Sequence, residues 1–186
     1  VIETAMPSMP IYFWNDKNNE RYKTSYFDVY PGKWRHGDWI KITPRNTIII
    51  YGRSDATLNR GGVRIGTSEV YNAAESVEEV SDSIIVCIDH EDGTQTMPMF
   101  VKLKEGVELN IKLKQKIKKK IKLQYSSRHI PDKIFQVYKI PYTISGKKME
   151  SPVKKILSGI PIEKAASKDA MKNPEALEFF TNFKMH

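Results

Sequence analysis

The chain is expected to fold in the α+β class, with a β-rich opening over residues 1–53 and a small mixed domain behind it. Three observations predict this. Short apolar or aromatic runs separated by Pro, Gly and Asn fill the first part. Two later segments carry apolar residues at helical spacing. From residue 54 to residue 157 the order then reads helix, strand, strand, helix, strand, helix, which suits a compact domain of about 100 residues.

The elements follow in order. Residues 9–14 are apolar and aromatic and end at the turn pair Asn15-Asp16. Residues 26–30 read as a second β-like run stopped by Pro31-Gly32. Residues 39–42 and 47–51 are strand candidates. The turn residues Thr43-Pro44-Arg45-Asn46 between them predict a hairpin. Gly61, Gly62 and Gly66 then mark a loop. Thr67 or Ser68 is suited to cap a helix, with Glu69 in its first turn. Val70, Ala73, Ala74, Val77 and Val80 continue that helical pattern. Residues 83–88 and 99–103 are apolar strands joined through the turn pair Asp92-Gly93. Leu113, Ile117 and Ile121 recur every four residues on one helical face. Residues 134–140 form a further strand, and Ser151-Pro152 opens a short helix to Leu157. Residues 159–186 read as a polar tail with one helix near residues 175–183.

With 40% hydrophobic and 28% charged residues, the composition is that of a globular chain. No run of 18 apolar residues occurs, so no membrane span is expected. No basic start with an apolar run behind it is visible, so no leader is expected either. The chain begins with Val and reads as a piece of something longer. A single cysteine, Cys87, allows no internal disulfide and favours a reducing, cytoplasmic setting. It reads as a buried strand thiol. The net charge is +8, and the seven lysines at positions 112, 114, 116, 118, 119, 120 and 122 supply nearly all of it. They read as the solvated face of an amphipathic helix, or alternatively as a phosphate-attracting surface.

Four constellations carry chemistry. In Trp34-Arg35-His36-Gly37-Asp38-Trp39 a carboxylate sits at a turn before a strand, where it can accept two hydrogen bonds from a diol. In Gly52-Arg53-Ser54-Asp55 an Arg ends a strand and offers a phosphate-matching fork. Asn59-Arg60-Gly61-Gly62-Val63-Arg64-Ile65-Gly66 is a glycine-rich turn with neither dinucleotide nor Walker spacing. Pro141-Tyr142-Thr143-Ile144-Ser145-Gly146-Lys147-Lys148 presents a lysine on a loop of small hydroxyl residues. Each alone is weak, since Asx turns, surface ion pairs and solubilising lysines are common.

Taken in order, the four resemble the adenylate-forming family of acyl-CoA synthetases, luciferases and peptide-synthetase adenylation domains. Ser127-Arg128-His129-Ile130-Pro131 and Asn173-Pro174-Glu175-Ala176-Leu177 narrow the resemblance to the acetoacetyl-CoA synthetase branch. The short-chain acetyl-CoA ligases are similar but carry an Arg-rich end where this chain has Met149-Glu150-Ser151-Pro152-Val153-Lys154-Lys155. The resemblance implies that residues 1–53 close a large N-terminal AMP-binding domain absent here. It implies that residues 54–158 form the mobile C-terminal lid domain of the adenylate-forming fold, followed by a tail over 159–186. It also implies a ligase that joins acetoacetate to coenzyme A with ATP and ATP-borne Mg2+, through an acyl-adenylate. Lys147 would be the adenylation lysine. Asp38, Arg53 and Arg64 would hold the nucleotide, Asp55 would be the hinge, and Gly62, Val63 and Arg64 would line the CoA channel. No structural metal is expected, because His36, His90, His129 and His186 have no ligand spacing with Cys87. A basic nucleic-acid-binding module is the alternative class. Residues 112–122 lack the interleaved aromatics that stack on bases, so neither nucleic acid nor a membrane is expected as a partner.

Overall fold

The computed structural model describes residues 1–54, 58–60 and 62–184. After a short 3-10 turn, helix α1 spans Glu20–Tyr26. The Asp16 carboxylate starts it by accepting from the backbone N–H groups of Arg21 and Tyr22, at 3.0 and 2.8 Å. The expected strand over residues 26–30 is therefore absent. Tyr22 and Tyr26 lie one helical turn apart and pack with Phe13, Phe27 and Trp34. The Tyr26 and Trp34 rings stack 3.7 Å apart. A capped turn with a shared aromatic face outweighs the β preference of single Tyr, Phe and Val residues.

Strands β1 (Asp38–Ile42) and β2 (Ile48–Arg53) form the expected antiparallel hairpin. Asn46, at φ 56°, makes its turn. Ile40, Ile42, Ile48, Ile49 and Ile50 are all exposed on this hairpin. Strands β3 (Leu58–Arg60) and β4 (Val63–Ile65) form a second, short hairpin. Helix α2 (Thr67–Glu75) follows. Its N-cap is Gly66, with no side-chain cap bond, rather than Thr67 or Ser68. The helix also stops before Val77, and Val80 already belongs to a strand.

Strand β5 (Val80–Ile85) leads to a small hairpin of β6 (Ile88–Asp89) and β7 (Gln95–Thr96), and then to β8 (Pro98–Leu103). Helix α3 (Ile111–Gln124) connects to β9 (Lys133–Gln136), which is shorter than the run of residues 134–140 suggests. The main sheet has the order β5-β8-β9. β8 pairs antiparallel with β5 and parallel with β9, and the parallel pair needs the crossover that α3 supplies. Asn110 caps α3 by accepting from the Leu113 N–H at 2.9 Å.

Both faces of the sheet are covered, as the two-residue period of its strands requires. Met99 and Val101 of β8 and Ile85 of β5 face α2 and α3, in a core with Val70, Ala73, Ala74, Leu113, Ile117 and Ile121. Ile84 and Phe100 face the other way. Helix α4 (Glu150–Leu157), helix α5 (Ile162–Ala165) and helix α6 (Glu175–Asn182) cover them, through Val153, Ile156, Ala165, Leu177 and Phe180. The residues after Gly159 are thus not a polar tail beyond the compact part. They supply much of the second core. Cys87 is buried in the first core just outside a strand, and its thiol donates to the Asn59 carbonyl at 3.3 Å.

Candidate functional site

The first cluster forms at the start of β1. Trp34 is buried among aromatics and pairs with Ile2 by two backbone bonds of 2.8 and 3.0 Å, which fixes the chain entering the turn. Gly37 then takes φ 85°, a conformation costly for a side-chain-bearing residue. A Cβ there would also lie 3.1 Å from Arg53 Nη2, so the guanidinium rests against the glycine backbone. Asp38 and Arg53 are register partners across β1 and β2. Asp38 Oδ2 lies 2.7 Å from His36 Nδ1, and Oδ1 lies 3.8 Å from Arg53 Nη1. Arg53 Nη1 also donates to the His36 carbonyl at 3.4 Å. The result is a partly open carboxylate beside a forked cation. Such a pair can accept from a diol and hold a phosphate oxygen at once. The candidate hinge, Asp55, lies outside the described residues, as does Gly61.

The second cluster is the turn between β3 and β4. Gly62 sits at the turn, Val63 is exposed, and Arg64 lies over the Trp39 indole, with Cζ 3.5 Å from the ring centroid. The Arg64 contact thus reaches β1 at Trp39, the residue after Asp38, whose side chain leaves the strand on the opposite face. Arg60 anchors the hairpin by donating to the Ile130 carbonyl and to Asp132, the latter at 2.5 Å. Asp132 in turn accepts from the Met97 N–H at 2.7 Å. His129 braces the neighbouring helix. Its ring hydrogen-bonds Glu69 of α2 at 3.1 Å and Ser126 at 2.9 Å, and it stacks on Tyr125. The residues Ser127-Arg128-His129 thus join α3 to the first turn of α2. Nothing in their spacing announced this contact, which spans 60 residues.

The third cluster is the loop before α4. Residues 143–147 close a turn in which the Thr143 N–H donates to the Lys147 carbonyl at 2.9 Å. The Lys147 N–H returns a bond to Thr143 Oγ1 at 3.0 Å. Gly146, at φ 78°, makes the reversal possible. Lys147 is exposed, and its ammonium has no hydrogen bond or ion pair with any described residue. Lys148, the next residue, is different. It is 15% exposed and pairs with Glu75 at 2.5 Å and Asp82 at 2.9 Å. It also donates to the Ser83 carbonyl at 2.6 Å and lies 4.0 Å from the centroid of the Tyr71 ring. Burial, with the Glu150 carboxylate second, pushes the Tyr71 hydroxyl well above its ordinary value. Burial and the Asp82 bond likewise raise that of Tyr142. The structure brings Asp38 and Arg53 together, and sets Arg64 on the neighbouring Trp39. It does not join Lys147 to them by any contact.

On α3, Lys116 pairs with Glu79 at 2.8 Å and Lys118 donates to the Asp132 carbonyl at 3.0 Å. The other five lysines of residues 112–122 make no ion pair with a described residue, so most of the positive charge faces solvent. Among the described residues no three His, Cys, Asp or Glu side chains gather as a metal site. Among them, too, no helix is long and apolar enough to cross a membrane.

No family model matches the chain. Individual proteins do. The acetoacetyl-coenzyme A synthetase of Rhizobium meliloti (strain 1021) is 45% identical over 180 residues, covering 97% of this chain and 27% of that protein. The acetoacetyl-CoA synthetase of Gallus gallus is 42% identical over 183 residues, 98% of this chain and 27% of that protein. The solved acetoacetyl-CoA synthetase from Streptomyces lividans superposes with a TM-score of 0.88 at 45% identity, covering 96% of this chain and 27% of that one. The chain therefore spans about a quarter of the length of the curated relatives it matches. Along nearly the whole of its length, then, the chain is similar in sequence and fold to about a quarter of these acetoacetyl-CoA synthetases.

Proposed function

We propose that the chain serves as the C-terminal part of an ATP-dependent acetoacetate–CoA ligase. In the first half-reaction an acetoacetate carboxylate oxygen attacks the α-phosphorus of Mg-ATP, and pyrophosphate leaves. In the second the CoA thiolate attacks the acyl-adenylate carbonyl, and AMP leaves. Asp38 would accept from the ribose hydroxyls, with Arg53 holding a ribose or phosphate oxygen. Lys147 would meet the carboxylate and α-phosphate oxygens, where two anions approach and a placed ammonium offsets their repulsion. Gly62, Val63 and Arg64 would line the path of CoA.

Lys147 carries this reading: it is exposed and makes no ion pair with a described residue, on a loop whose other lysine is anchored. The contact of Arg64 with Trp39 fits the same scheme. Lys147 makes no contact with Asp38, Arg53 or Arg64 among the described residues, which supports a scheme in which the domain presents two faces in turn. We assign residues 1–53 to the end of a large domain, whose remainder would cover the exposed isoleucines of the β1–β2 hairpin. Residues 54–158 would be the mobile domain, and residues 159–186 pack onto it.

The test is Lys147→Ala in the full-length protein that carries this segment. Acetoacetate-dependent ATP–pyrophosphate exchange should fall about 10²–10³-fold, the range for loss of one charge-stabilising donor. CoA transfer from supplied acyl-adenylate should persist. Equal loss of both steps would refute the assigned role.

A further inference from the structure

The loop that carries Lys147 is gripped on both flanks by one carboxylate 60 residues earlier in the chain. Tyr142, just before the turn, donates its hydroxyl to both oxygens of Asp82, at 3.0 and 2.9 Å. Lys148, just after Lys147, pairs with Asp82 Oδ1 at 2.9 Å. Tyr142 and Lys148 also face each other as an isolated antiparallel bridge. The base of the loop is thus closed by its own backbone, and Asp82 ties both of its flanks to the sheet. Asp82 is 19% exposed.

The placement of Asp82 is itself unusual. It lies on β5 where the register with β8 shifts between Val80 and Asp82, so Ser81 is an extra residue. Ser81 Oγ occupies the irregularity by donating to the Lys102 carbonyl at 3.0 Å. Bulges of this kind re-aim the side chains beside them. Here the neighbour so placed reaches the loop, while Ile84 and Ile85 further along β5 fill the two cores. A second grip comes from the other side: Asn173 Oδ1 accepts from the Tyr142 N–H at 2.9 Å, and its amide donates to the Ile140 carbonyl at 2.8 Å.

We propose that Asp82 is a positioning residue for the adenylation step: by holding Tyr142 and Lys148 together it sets the direction in which Lys147 leaves the domain. The proposal rests on the role assigned to Lys147 above. A free lysine on a loose loop would meet the reacting oxygens only in a small fraction of its conformations, and a shift of about 1 Å in such a group can cost about 100-fold in rate. Lys148 keeps Glu75 and the Ser83 carbonyl when Asp82 is changed, and Tyr142 keeps Asn173, so the loss should be partial.

The experiment uses Asp82→Asn, a near-isosteric change, in the full-length protein. Acetoacetate-dependent pyrophosphate exchange should fall at least tenfold in kcat, while CoA transfer from supplied acyl-adenylate stays within about twofold, since that step does not use Lys147. Amide hydrogen exchange across residues 143–148 should quicken. Tyr142→Phe keeps the ring and removes only the hydroxyl, so it should reproduce the split between half-reactions more weakly even if Asp82→Asn folds poorly. Unchanged pyrophosphate exchange in a folded variant overturns the proposal. Parallel loss of both half-reactions with a lowered thermal midpoint does so as well, because that would mark Asp82 as a purely structural residue. A wild-type protein with no acetoacetate-dependent exchange sinks the ligase assignment first and this role with it, whereas an active wild type with indifferent variants sinks this role alone.

Discussion

Lys147 and Lys148 are chemically identical neighbours, and the fold gives them opposite tasks. At an isolated bridge successive side chains point to opposite sides, so only one of two adjacent lysines can face outward. Lys148 turns in to the carboxylates of Glu75 and Asp82, and Lys147 turns out. The Ser145-Gly146-Lys147 pattern identifies the outward lysine, because Gly146 must take its positive φ one residue earlier. The partners of Lys148 could not be read from the sequence, since they lie 65 to 73 residues away and have no periodicity to betray them. Cys87 shows the same logic for a buried group. Burial pushes its thiol up. A folded-state value above the unfolded one means that this contribution to stability is intact below the ordinary thiol range and is lost as pH rises past it. The thermal midpoint of the chain should therefore begin to fall above about pH 8.5, and fall further above about pH 10, where Tyr71 and Tyr142 add losses of the same sign. Cys87→Ala should lower the midpoint at neutral pH but flatten the first part of that decline. A pH profile identical to the wild type would count against the account.

At the scale of elements, legibility tracked periodicity. Helix α3 was plain because Leu113, Ile117 and Ile121 repeat every four residues between lysines, and all three are buried. Ile117 is fully enclosed between α2 and the sheet. Ile117→Ala should cost about 2–5 kcal/mol in a denaturant titration, the range for a large-to-small change in a packed core. Lys119→Ala, on the solvated side, should stay within about 0.5 kcal/mol. Comparable losses for the two would mean that the helix is not seated as described. Helix α1 escaped the sequence for the converse reason. Its seven residues hold two tyrosines and a threonine, poor helix formers, and it depends on Asp16 and the aromatic cluster to exist. The β3–β4 and β6–β7 hairpins have strands of two or three residues, too short for an alternation to register. The ordering of motifs along the chain, by contrast, survives any error in these boundaries, which is why the resemblance could be read when several elements could not.

For the molecule as a whole, the decisive feature is a three-stranded sheet buried on both sides. A sheet so narrow needs two covers, and α2 with α3 supply one. The other is assembled from α4, α5 and α6, and this is where the sequence misled. Residues 159–186 carry their apolar groups sparsely, among lysines and glutamates, and look like a tail. What draws them in is Phe100 on β8, whose ring meets those of Phe135, Phe180 and Phe183 at centroid distances of 5.5, 4.9 and 5.2 Å. The same segment touches the candidate catalytic loop, because the Ile144 N–H donates to the Ala170 carbonyl at 3.0 Å and the Lys172 N–H to the Tyr142 carbonyl at 2.9 Å. Stability and loop geometry should therefore fail together. Phe180→Ala should cost about 3–5 kcal/mol through the cavity it leaves beside Phe100. Ending the chain at residue 158 should do more: expose Phe100 and Ile84, raise the binding of an apolar dye, and quicken amide exchange at residues 143–148 as well as in the sheet. If the truncated chain kept its thermal midpoint and its loop protection, the second core would not depend on these residues, and the two-sided sheet would have to be covered some other way.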